Sequence, residues 1–145
     1  VPNTLLNDGV KVTRPISATA AGATAVNGTA LDMTGFVGIR FVALLGTLTG
    51  TQVTSLKAQQ GALSDGSDAV DIAGAVTAAA ADGDGNKLLI LDVAKSLITA
   101  RYVRPVVNRS VANAVVDGVI AEQYKAGTEP VTATGTTVSA VKSAY

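Results

Sequence analysis

Residue types that do chemistry are scarce in this chain. It has no histidine and no cysteine. The commonest general base, the commonest metal ligand and any thiolate nucleophile are therefore missing. Ser-His-Asp and Cys-His catalysis are excluded, as are zinc sites of the His/Cys kind and disulfides. No phosphate-cradling glycine loop of the Walker or dinucleotide type occurs. Three weaker patterns remain. Ser139-Ala140-Val141-Lys142 has the Ser-x-x-Lys spacing of acyl-serine enzymes. That chemistry needs the pair at a helix start in a cleft, with two further motifs that this sequence lacks. Asp82-Gly83-Asp84-Gly85-Asn86 alternates oxygen ligands with glycine, as calcium loops do. The closing bidentate Glu is missing, because Lys87-Leu88-Leu89-Ile90 runs straight into a strand. A solvated hairpin turn is the simpler reading there, and the same holds for Asp65, Asp68 and Asp71. A calcium site built jointly from both loops is the open alternative. Finally, Asp92, Asp117 and Glu122 fall in or beside predicted strands. A carboxylate pair held about 5–9 Å apart can hydrolyse a glycoside, but cross-strand pairing with Arg101 or Arg104 is the simpler expectation. The expected site therefore has no catalytic residue, no metal ligand and no cofactor.

The elements that would position these groups are short and extended. Ile39–Leu45 alternates, with Ile39, Phe41, Ala43 and Leu45 on one face and Arg40, Val42 and Leu44 on the other. Both faces are mostly apolar, which predicts a central strand. Glycines and threonines over 46–50 predict a turn into Val53–Gln60, and the two strands are expected to form a hairpin. Residues 61–71 read as a loop, and 72–81 as a strand followed by a loop. Leu88–Val93 is expected to be buried on both faces as far as Asp92. Tyr102–Asn108 carries Pro105, which belongs on an edge or at a bulge. Ala114–Tyr124 is the longest strand, with Val116, Ile120 and Tyr124 expected on one face and Gly118 marking a bulge. Short strands separated by glycine-rich turns, without a long amphipathic helix, predict an all-β fold: a single-domain, jelly-roll-like β-sandwich. Its expected limits are an N-terminal arm over residues 1–15, the sandwich over 16–127 and an extended C-terminal tail over 128–145.

Composition narrows the partners. Lys+Arg and Asp+Glu are both 11, for a net charge of +0. Such a chain offers no electrostatic funnel for nucleic acid or anionic lipid. It also lacks the charge repulsion that keeps copies apart. No apolar run is long enough to span a membrane as a helix, and no signal-peptide pattern follows Val1-Pro2-Asn3-Thr4. Aromatic residues are 3% of the chain, too few for a sugar-stacking or base-stacking surface.

The stretches Asn86–Val93, Arg101–Arg109 and Asn113–Tyr124, in that order, resemble small structural proteins of tailed bacteriophages and prophages. Gly28–Met33 and Phe41–Gly46 add to the likeness, which spans residues 25–125. These are head decoration, or cement, proteins. The resemblance implies a β-sandwich on the outside of an assembled capsid. It implies self-association as a dimer or trimer, and bridging of neighbouring major capsid protein subunits. The protein would then belong to the virion, and to the host cytoplasm during assembly. The ends of the chain are the expected contacts, with Leu5, Leu6, Arg14, Val138 and Tyr145 as candidates, because extended arms can add strands to exposed sheet edges. The rival readings are another virion part (tail tube, fibre or head-tail joining module) and a host-surface carbohydrate-binding module.

Overall fold

The computed structural model describes residues 5–125, 137–140 and 142. After a single helical turn, α1 (Leu6–Gly9), come ten strands: β1 (Lys11–Ile16), β2 (Thr19–Gly22), β3 (Val26–Asn27), β4 (Leu31–Asp32), β5 (Gly38–Leu48), β6 (Val53–Gly61), β7 (Val70–Val76), β8 (Leu88–Ala94), β9 (Tyr102–Ser110) and β10 (Ala114–Tyr124). They form two five-stranded antiparallel sheets. Sheet I runs β1-β10-β5-β8, with β2 also on β10; sheet II runs β3-β9-β6-β7, with β4 also on β9. The pairs nest: β1 with β10, β3 and β4 with β9, β5 with β8, and β6 with β7. A long antiparallel hairpin, folded at residues 62–69, has thus been rolled until β10 meets β5 and β9 meets β6. That is a jelly roll, and the all-β sandwich expectation holds.

The alternating residues of each strand supply the core. From sheet I, Ile39, Phe41, Ala43, Leu91, Val93, Val116, Val119 and Ala121 point inward. From sheet II, Leu56, Ala58, Val103 and Val107 meet them. Buried polar groups are mostly bonded. Gln123 Nε2 donates to Asp32 O at 2.7 Å. Arg109, only 7% exposed, donates to the carbonyls of Thr24 (2.9 Å), Ala20 (2.8 Å) and Ala114 (2.7 Å). This one side chain ties β9 to the connection between β2 and β3 and to the start of β10.

Several local expectations change. β5 and β6 form no hairpin, because the turn between them carries the chain from one sheet to the other. Each pairs instead with strands distant in sequence, which local pattern does not encode. The expected arm boundary at residue 15 falls inside β1, whose Lys11, Val12 and Thr13 pair with Gln123, Glu122 and Ala121. β8 is the outermost strand of sheet I, so Leu88 and Ile90 are exposed and not buried. Pro105 lies in β9, an inner strand, opposite Ala58. Its carbonyl accepts from Gly28 N at 2.8 Å. The side from which a proline N–H is missing therefore faces the break between β3 and β4, where the ladder to β6 loses nothing.

Gly118 does mark a bulge. Two residues of β10, Val116 to Gly118, span one step of β5, Leu45 to Leu44, and Gly118 has φ +133. The inserted residue reverses which positions point inward. Val116 is buried before it, and Val119, Ala121 and Gln123 after it. Ile120 and Tyr124 therefore face outward and do not share a face with Val116.

Candidate adhesion surface

The outward faces of the two sheets differ in chemistry. On sheet II, most outward rungs join polar side chains, and exposed Val53 and Val76 stand singly opposite Ser110 and Lys57. Arg104 donates to Gln59 Oε1 at 2.7 and 2.9 Å, and Gln59 Nε2 donates to Asp71 Oδ1 at 2.8 Å. Lys57 pairs with Asp71 at 2.9 Å, and Asn108 donates to Ser55 Oγ at 3.3 Å.

On sheet I, register stacks apolar residues instead. Ile120, Val42 and Ile90 lie opposite one another across β10, β5 and β8, and Leu44 lies opposite Leu88 in the next outward rung. Ile90 and Leu88 are 52% and 54% exposed, where an edge strand of a soluble domain more often carries charge.

A charged rung borders this patch: Glu122, Arg40 and Asp92 on β10, β5 and β8. Arg40 Nη2 donates to Glu122 Oε1 at 2.7 Å, and the Glu122 carboxylate raises the Arg40 guanidinium above its ordinary value. Beside it, the Tyr124 hydroxyl donates to Asp92 Oδ1 at 2.6 Å. Burial first, and then the Asp92 hydrogen bond and charge, push the Tyr124 phenol up to about 12. Leu6 and Val10 from the α1 region join Arg40, Asp92, Glu122 and Tyr124 around a shallow depression of about 270 Å³.

Four of the expected contact residues are among the described ones. Leu6, 72% exposed, lines the depression. Leu5 starts α1, its N–H donating to Asp8 Oδ2 at 3.1 Å. Arg14 on β1 donates to Asp117 O at 3.0 Å, and its backbone N–H to Thr137 Oγ1 at 3.2 Å. That contact brings half-buried Val138 near β1 through its chain neighbour. Tyr145 lies outside the described residues. What the sequence missed is the apolar patch: Val42, Leu44, Leu88, Ile90 and Ile120 sit on separate strands, and only long-range register makes them neighbours.

The carboxylates considered for chemistry have other partners. Asp92 and Glu122 bind Tyr124 and Arg40, not Arg101 or Arg104. Arg101 pairs with Asp32 at 2.8 Å, and its hydrogen bond holds the Asp32 carboxyl well below the usual carboxylate range. In the Asp-rich loops, Asp65 accepts from Ser67 N, Asp68 from Ala62 N and Leu63 N, and Asp84 from Ala81 N and Lys87 Nζ. Among the described residues, no three acidic groups gather as a metal site would need.

No family model matches the sequence, and no curated protein does. A solved structure shares the fold. A chain of infectious bursal disease virus, Gt strain, superposes with a TM-score of 0.51 at 11% identity, covering 85% of this chain and 34% of that one. A chain of the Gx strain gives 0.48 at 13% identity, with the same 85% and 34% shares. The present chain thus spans about a third of the length of the virus chains it matches. The class defined by the fold is an antiparallel jelly-roll sandwich.

Proposed function

We propose that this chain is a structural virion protein that decorates the outer surface of a tailed-phage capsid and stabilises it by bridging neighbouring major capsid protein subunits, without enzymatic activity. The observation that carries this reading is the contiguous apolar patch on the outward face of sheet I. Sheet I exposes Leu88 and Ile90 beside Val42, Leu44 and Ile120, next to a charged rung, whereas the exposed Val53 and Val76 of sheet II stand singly opposite Ser110 and Lys57. An apolar centre with a polar border is the usual anatomy of a protein–protein contact. The sequence resemblance to decoration proteins supports the particular assignment. The fold shared with a virus chain is compatible with it, although fold alone does not carry function. Leu6, Arg14 and the tail around Val138 would extend the contact at the β1 side. Each contact can be weak, because capsid symmetry repeats it many times.

The test is sedimentation of purified protein with phage heads that lack it. Wild-type protein should saturate the heads. Ile120→Lys and Val42→Lys, outward on inner strands, should keep the fold and abolish retention. Full retention by both variants would overturn the assignment of this face. Failure of the wild-type protein to bind any head would overturn the decoration role.

A further inference from the structure

We infer that β8 is a docking edge for a second copy of this chain, the two β8 strands pairing antiparallel about a two-fold axis to join two copies of sheet I into one continuous sheet. This deepens the decoration reading, since it names the self-association such a protein would use.

Open edges invite strand addition, and folded proteins blunt them. Three of the four edges here are blunted. At β1, Thr137 takes the backbone N–H of Arg14, and Pro15 has none to offer. At the other end of sheet I's partner, β3 and β4 are two-residue strands separated by a break. At β7, the register with β6 is irregular between Lys57 and Gln59. β8 has none of these protections. It runs Leu88–Ala94 without proline, glycine or bulge, in unbroken register with β5.

Its free backbone groups can be named. Leu45 N donates to Lys87 O at 2.9 Å, and Lys95 N to Val37 O at 3.0 Å. The odd-numbered residues of β8 therefore turn their backbone groups towards β5. Leu88, Ile90, Asp92 and Ala94 turn theirs outward, and no described residue bonds them. Antiparallel pairing centred on Leu91 sets Leu88 against Ala94 of the second copy, and Ile90 against Asp92. Every outward N–H then meets a C=O, and no carboxylate faces another carboxylate. A net charge of +0 adds no repulsion between copies. The patch of Leu44, Val42, Leu88 and Ile90 would become continuous with its symmetry mate, doubling the apolar face.

The described residues after β10 bond elsewhere. Lys125 directly follows β10, Thr137 bonds to β1, and the Lys142 carbonyl accepts from Asn7 in α1 at 3.4 Å. A self-complementary strand is an isologous surface, which a two-fold axis closes.

The absence of native cysteine makes the test direct. Opposed hydrogen-bonded residues lie about 5.5 Å apart between Cα atoms, within the disulfide range of about 4.4–6.8 Å. Leu88 and Ala94 within one strand are about 20 Å apart. Oxidised Leu88→Cys/Ala94→Cys should run as a covalent dimer, whereas neither single variant should. Light scattering should give the wild-type protein twice its chain mass, and Ile90→Asp, which sets a carboxylate directly against Asp92 of the second copy without touching the core, should return it to one. A wild-type protein that stays at one chain mass, or an unlinked double variant, would overturn the pairing. A monomer that still saturates heads would sink this inference and spare the decoration role. A β8-linked dimer that ignores heads would do the reverse.

Discussion

The Tyr124 hydroxyl reaches Asp92 Oδ1 at 2.6 Å from β10 to β8, across the strand between them. It does so by lying over Gly38, its directly paired residue on β5. Any Cβ at Gly38 would run into the Tyr124 ring. A glycine covered by an aromatic ring from the neighbouring strand is a known way to keep a glycine-containing rung packed. Gly38→Val should therefore cost about 1–3 kcal/mol through overpacking. Chemical denaturation of Gly38→Val, Tyr124→Ala and the double variant checks it. The penalty at residue 38 should shrink once the ring is gone.

The same phenol gives the fold an alkaline limit. Its pKa is pushed up to about 12 in the folded protein, against about 10 when unfolded. Below the unfolded value both states hold the proton and the contribution is complete. As pH rises through the window between these values, the unfolded state releases its proton while the folded state keeps it, so stability falls. Denaturation midpoints of wild type should drop across that window, and those of Tyr124→Phe should drop less. Ultraviolet titration should show one tyrosine ionising late, absent in Tyr124→Phe.

The Arg101–Asp32 pair acts at the acid side. Asp32 is held below its ordinary value chiefly by the Arg101 hydrogen bond. Its contribution is complete above the unfolded carboxylate value and is lost as pH falls towards the folded one. The effect should be small, because the side chains are 59% and 41% exposed. Acid unfolding of Asp32→Asn should begin from a slightly lower plateau and lose less on acidification than wild type does.

Arg109 should be far more costly to remove. Arg109→Met would leave the carbonyls of Thr24, Ala20 and Ala114 without their donors. Only the bond to Ala114 is fully buried, those to Thr24 and Ala20 being part-buried; an unsatisfied buried acceptor costs about 1–3 kcal/mol, and a loss of about that size is expected. Arg109→Lys should recover little, since an ammonium cannot reproduce the planar fork that reaches several carbonyls. Urea denaturation of both variants tests this.

The parts legible in sequence were those governed by local period. Ala114–Tyr124, the Ile39–Leu45 core face and the Thr54, Leu56, Ala58 alternation all follow from side chains switching faces at every residue. Gly118 as a bulge was legible too, but its consequence was not. One inserted residue shifts the phase of all that follows, which sent Ile120 and Tyr124 outward. The β5–β6 connection misled because a short glycine–threonine turn suits a hairpin and a sheet-to-sheet crossing alike. The exposure of Leu88 and Ile90 was hidden because an apolar run has the same composition in the centre of a sheet as at its edge. The apolar patch needs three strands in register, and its residues are up to 78 positions apart, from Val42 to Ile120.

The central claim is adhesion to an assembled shell through sheet I. Electron microscopy of phage heads saturated with the protein tests it most directly. Symmetric density is expected on the outer face of the head, into which the sandwich fits with Val42, Ile90 and Ile120 turned towards the contacts. Density confined to the tail, or sandwiches seated on the shell through the polar rungs of Arg104, Gln59 and Asp71 with sheet I bare, would contradict it.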